Sequence, residues 1–155
     1  MSRINFTPAV NKHYGSFYDT TTQTAASATI AYPITLNTTV ASNGVTINGS
    51  SIIFQNAGTY NIQFSAQLVG SKTATAEVWI KQNGVSVPWS NGRTSISNQN
   101  PATLPAWNYV MPIAANDVIQ FYWSTTDVDV KITSASSSGN AGPQIPGMIV
   151  TAVEV

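Results

Sequence analysis

From Tyr60 to Leu68 the side chains alternate without a slip: Tyr60, Ile62, Phe64, Ala66 and Leu68 fall on one side, Asn61, Gln63, Ser65 and Gln67 on the other. A period of two is that of a β-strand with one face on a core and the other toward polar surroundings. The same reading places Ala76, Val78 and Ile80 opposite Glu77, Trp79 and Lys81, and Trp107, Tyr109, Met111 and Ile113 opposite Ala106, Asn108, Val110 and Pro112. Asn43-Gly44, Asn48-Gly49, Ala57-Gly58, Asn83-Gly84, Asn91-Gly92 and Gly139-Asn140 punctuate these runs, and Asn-Gly is a strong hairpin signal. No segment carries a helical period. The chain is therefore all-β, with about eight to ten short antiparallel strands in a sandwich or barrel.

Val118–Trp123 and Met148–Val155 are apolar on both faces, which predicts strands covered on both sides, by a central position or by a partner subunit. At 155 residues one core suffices, so the expected organisation is an N-terminal arm over 1–12 and one domain over 13–155. Ser90–Pro105 reads as a polar loop, and Ser134–Gln144 as a low-complexity surface connection.

Only 8% of the residues are charged, and the six basic and six acidic side chains cancel. The basic ones (Arg3, Lys12, Lys72, Lys81, Arg93, Lys131) form no run, which argues against nucleic acid as a partner. So little charge gives little repulsion between copies, as an oligomer tolerates. With no cysteine there is neither a disulfide nor a thiolate metal site. Nowhere do eighteen consecutive apolar residues occur, and the first residues have no apolar run resembling a signal sequence, so neither a membrane partner nor classical export is expected.

Catalytic apparatus is hard to assemble. His13 is the only histidine, it adjoins the arm, and no Gly-x-Ser-x-Gly elbow accompanies it, so a strand-end or interface role is favoured. Asp127 and Asp129 are two apart and share a strand face, a spacing that could offer oxygens to calcium. Without a third acid nearby, a solvated edge is the favoured account. No cofactor is implied. Of the four tryptophans, Trp107 belongs to the core by parity. Trp89, after Pro88 and before a loop carrying Arg93, is the candidate for an exposed ligand contact, as in stacking on a sugar. Asn5, Asn37 and Asn48 match the glycosylation pattern, as chance allows in so Asn- and Thr-rich a chain.

Four pieces, in order, carry a family resemblance: GTYNIQFSAQL at 58–68, VWIKQNGVSV at 78–87, MPIAANDVIQFYW at 111–123 and PGMIVTAVEV at 146–155. They resemble the jelly rolls of the tumour necrosis factor (TNF) superfamily and the globular heads of complement component q. The matching pieces there read Gly-x-Tyr, Val-Trp-Leu-Lys-x-Asn-Gly, Leu-x-x-Gly-Asp and Phe-x-Gly before a final apolar strand. This chain has Asn116 in place of the glycine before Asp117, and Pro146 before Gly147. The resemblance implies a two-sheet antiparallel jelly-roll sandwich of about ten strands that assembles as a homotrimer and has no enzymatic activity. It implies that Gln63, Ala106, Asn108, Val110, Ile145, Ile149 and Thr151 turn toward the threefold axis. Some complement-type heads bind calcium.

The low charge and the Thr, Ser and Asn content are similar to bacteriophage virion proteins built on this jelly roll. The domain begins about a dozen residues after Met1, so no shaft or stalk is expected, and a trimer on a capsid fits better than a fibre tip. The expectation is a decoration or cement protein on the virion surface, assembled in the host cytoplasm and bound to the major capsid protein. The alternative is a receptor- or glycan-binding head of a tail fibre or surface appendage, using Trp89.

Overall fold

The computed structural model describes residues 11–137 and 141–155. All of the expected arm except Asn11 and Lys12, together with Gly139-Asn140 and the Asn5 motif, lies outside the described residues. Among the described residues there is no helix. Ten strands of four residues or more carry the fold: β1 (Tyr14–Asp19), β2 (Thr38–Asn43), β3 (Val45–Asn48), β4 (Ser51–Phe54), β5 (Gly58–Ala66), β6 (Ala74–Gln82), β7 (Gly92–Ile96), β8 (Ala106–Ile113), β9 (Val118–Thr125) and β10 (Met148–Glu154).

One sheet has the order β8-β5-β10-β1-β2. The other follows β6-β9-β4-β3, with β7 and Val85–Ser86 added along β6 and Tyr32–Pro33 along β9. A third, small sheet of two-residue strands joins Ala102–Thr103, Leu68–Val69, Lys131–Ile132 and Gln23–Thr24, an addition to the expected two layers. Chain neighbours such as β5 and β6 lie in different sheets, while β1 pairs with β10 from the far end of the chain, the long-range pairing of a jelly roll.

The alternation becomes the core. Tyr60, Ile62, Phe64 and Ala66 of β5 are buried against Ala76, Val78 and Ile80 of β6 and Ile119, Phe121 and Trp123 of β9. Phe64 meets Phe121 of the facing sheet at 4.9 Å between ring centroids, and Trp107 of β8 edge-on at 4.7 Å. Each such side chain contributes about 1.5–3 kcal/mol on burial, and here the aromatics also couple the two layers.

The turns follow their residues. Asn83 (φ 50°) and Gly84 (φ 82°) make the two-residue hairpin that returns β6 into Val85–Ser86, as type I′ geometry requires. Asn116, where the resembled family has glycine, is left-handed at φ 68°. Asparagine enters that region more readily than other side chains, so the departure leaves the turn intact.

Two expectations need correction. The stretch expected as a polar loop contains β7, paired with β6 from Gly92↔Val78 to Ile96↔Ala74, and the short strand Ala102–Thr103. Gly92 is not a turn residue. A Cβ there would sit 2.0 Å from the Trp107 ring, so the glycine makes room for that indole where the edges of the two sheets meet. Second, β9 is central but covered on one face only: Ile119, Phe121 and Trp123 are buried, while Val118, Gln120 and Tyr122 are half-buried under neighbouring side chains. Tyr122 carries the Lys81 ammonium 4.0 Å over its ring. A long basic stem and a tilted Trp79, with ring centroids 6.1 Å apart, supply the cover that sequence reading assigns to a layer of protein.

Candidate functional site

The outward face of the five-stranded sheet is built in rows across the strands. Register places Val110, Asn61 and Val153 in one row, Asn108, Gln63 and Thr151 in the next, and Ala106, Ser65 and Ile149 in a third. Continued from Asp19↔Met148, the same pairing brings Tyr14, Ser16 and Tyr18 of β1 alongside Val153, Thr151 and Ile149. A register shift between Ser16 and Phe17 leaves Val40 of β2 unpaired and 65% exposed. Val110, Val153 and Ile149 are exposed as well. No Asp, Glu, Lys, Arg or His points outward from these five strands. Amides, hydroxyls and branched aliphatic side chains share the surface.

Of the seven residues the resemblance turns toward an axis, Gln63, Ala106, Asn108, Val110, Ile149 and Thr151 come together on this face. Ile145 stands apart: it precedes β10 and is bridged to Ala135. Beside Ile149, the side chains of Tyr18, Val40, Pro143 and Pro146 enclose a recess of about 330 Å³. Sequence reading missed this hollow because it depends on the bulge in β2 and on the chain before β10 folding over the sheet edge.

The two ligand-contact candidates lie on the opposite sheet. Trp89 is 99% exposed and left-handed at φ 65°. Its neighbour Ser90 is buried: the Ser90 hydroxyl donates to the Val87 carbonyl (2.8 Å) and accepts from the Ile80 amide (3.0 Å), and the Ser90 carbonyl accepts from the Tyr109 hydroxyl. Arg93 donates twice to Glu77 Oε1 (2.6 and 2.8 Å), and Asn91 donates to Glu77 Oε2 (3.1 Å). The hydrogen bond from Arg93, then that from Asn91, holds the Glu77 carboxyl below its ordinary range. Asn91 and Arg93 are therefore linked through Glu77, beside Trp79 on β6. Glu77 and Trp79 were passed over because their strand parity marks only an outward face.

The remaining carboxylates are engaged in turns and at strand ends. Glu154 accepts the His13 amide (3.0 Å) and faces His13 Nδ1 (2.9 Å), fastening the start of β1 to the end of β10; the amide bond is the first cause that lowers its pKa. Asp129 accepts the Ser71 amide and hydroxyl, while Asp127 accepts the Asp129 amide (2.9 Å) and faces Lys72 at 3.7 Å. The two candidate calcium ligands thus hold their own loop together. Asp117 accepts from Asn83, Gln82 and the Ala114 amide, and these bonds, Asn83 first, lower its pKa. Asp19 is buried, with Oδ2 bonded to Thr21 and Gln23 and Oδ1 without a partner. Among the described residues no three His, Asp or Glu side chains gather where a metal could be held.

No family model and no curated protein matches the chain. Its fold does match solved structures. Crystal structures of murine APRIL superpose with a TM-score of 0.63 at pH 5.0 (9% identity), 0.61 at pH 8.0 (11%) and 0.60 at pH 8.5 (9%). Each match covers 94% of this chain and all of the other. At such identity the likeness is one of fold, and the fold is a TNF-like jelly roll.

Proposed function

We propose that this chain acts as a homotrimer of non-enzymatic jelly rolls and serves as a decoration or cement protein on a virion surface, binding the shell of major capsid protein. The observation that carries the reading is the uncharged outward face of the five-stranded sheet. Five strands about 4.8 Å apart, with some seven residues of about 3.3 Å each, give a face of roughly 550 Å² in projection, the order of the ~800 Å² per partner in a standard interface. Nothing ionic has to be desolvated to cover it, and its valines and isoleucine gain by leaving water.

A trimer suits the proposed role. Three weak attachments on one rigid body multiply into one avid one, and a ligand that binds the assembled shell but not its separated subunits stabilises the shell by mass action. The test is light scattering of the protein alone and after mixing with intact particles. A trimer that co-elutes with particles and raises their melting temperature supports the reading; a monomer that never binds them refutes it.

Trp89 favours a second reading, a head that contacts cell-surface glycan. A tryptophan 99% exposed in a left-handed conformation serves no packing need of the subunit. Loss of cell adsorption by Trp89→Ala with particle stability unchanged is the result that selects this reading over the first.

A further inference from the structure

We propose that the recess between Trp79 and Trp89 binds a single neutral pyranose ring of a glycan. This deepens the glycan-contacting reading above and rests on it. The recess, of about 250 Å³, is lined by Glu77, Trp79, Ser86, Val87, Trp89 and Asn91. Small-molecule sites commonly run about 300–1,000 Å³, so this one has room for one ring rather than an extended ligand.

Its chemistry is divided as a sugar is. A pyranose has C–H faces that stack on aromatic rings and an equatorial rim of hydroxyls that donate and accept. Two indoles supply the apolar walls, and the Glu77 carboxylate with the Asn91 and Ser86 side chains supplies partners for the rim. Charge selects against other occupants. Glu77 is already balanced by Arg93 at 2.6 Å, which removes the net negative charge a quaternary ammonium ligand would seek. Among the described residues no lysine or arginine lines the recess, so nothing in it selects an acidic sugar.

The site is also held ready. A bulky residue in the left-handed region is strained, and here Ser90, buried and bonded to Val87, Ile80 and Tyr109, holds the backbone in place. The Trp89 backbone is thereby held with its side chain in solvent, so the loop itself has little left to order on binding. Because the recess lies on the sheet opposite the uncharged face, a trimer formed through that face presents three copies outward, so millimolar contacts with single rings sum on a glycan-covered surface.

The experiment titrates ¹⁵N-labelled full-length protein with the methyl glycosides of glucose, galactose, mannose and N-acetylglucosamine, following the indole Nε1–H signals. With at least one glycoside the Trp79 and Trp89 signals shift saturably while those of Trp107 and Trp123 stay. Trp89→Ala, which keeps the fold because the side chain is fully exposed, weakens the shift at Trp79 by about tenfold or more. If no glycoside moves Trp79 or Trp89, the inference is overturned. Loss of cell adsorption by Trp89→Ala in that case would leave the head reading standing on a protein receptor, and unchanged adsorption would remove both.

Discussion

Gln63 lies in the middle row of the uncharged face, between Asn108 and Thr151, and is exposed in the subunit. Gln63→Glu changes charge and almost nothing else: the side chains are nearly isosteric, and an exposed strand position accepts either with little effect on the subunit. In a trimer closed on this face, three carboxylates face one another around the axis. At a separation of about 8 Å and an effective dielectric of about 20, each pair repels by about 2 kcal/mol, and the three pairs by about 6 kcal/mol. That weakens trimerisation by about 10⁴-fold, since each 1.4 kcal/mol is about tenfold. The assay is light scattering across a dilution series at neutral pH, with circular dichroism to confirm an unchanged fold.

The pH dependence supplies an internal control. Crowded carboxylates have pKa values raised in the trimer above the ordinary glutamate value of about 4.3. Protonation therefore favours assembly, and the trimer lost at neutral pH returns as pH falls through the raised values toward about 4.3. A Gln63→Glu protein that stays trimeric at neutral pH on dilution, with the wild-type dissociation constant, would refute the assignment of this face.

Gly92→Ala drives a methyl into the Trp107 indole and lowers stability by about 1–3 kcal/mol, read as an earlier melting midpoint; an unchanged midpoint would mean that the Gly92–Trp107 contact does not join the sheets. Asp117, whose folded pKa is lowered below its ordinary 3.8 by Asn83, Ala114 and Gln82, contributes stability above about pH 4 that is lost as pH falls through the lowered value; Asp117→Asn accordingly melts earlier at pH 7 and flattens the acid limb of melting temperature against pH. Asn116→Val destabilises by about 1–2 kcal/mol because a β-branched residue resists the left-handed turn, whereas Asn116→Gly leaves the melting midpoint close to wild type.

The frame was legible wherever one face of a strand meets the core and the other does not. The alternation in β5, β6 and β8 predicts which side chains are buried, and Asn83-Gly84 predicts its hairpin, because both depend on residues close in sequence. The uncharged face was legible in part: parity places Gln63, Ala106, Asn108 and Val110 opposite the core, whereas Ile149 and Thr151 came from the family resemblance, because Met148–Val155 reads as apolar on both faces. What was hidden depends on distant partners. Gly92 looks like a turn until Trp107, fifteen positions on, occupies the space beside it. The outward residues of β9 read as buried because the Lys81 stem and Trp79 ring that cover them belong to another strand. The recess at Trp89 needs Ser90 to be buried, and an isolated serine between Trp and Asn gives no sign of that.

The proposed role depends on three copies acting together. The subunit mass is 16.4 kDa. Multi-angle light scattering on the purified protein at neutral pH and low micromolar concentration measures the assembly with no assumption about shape. Three times the subunit mass, about 49 kDa, is the predicted value, held on dilution until the trimer dissociates. A single species of 16.4 kDa at every accessible concentration would contradict the trimer, because the uncharged face would then be turned to water.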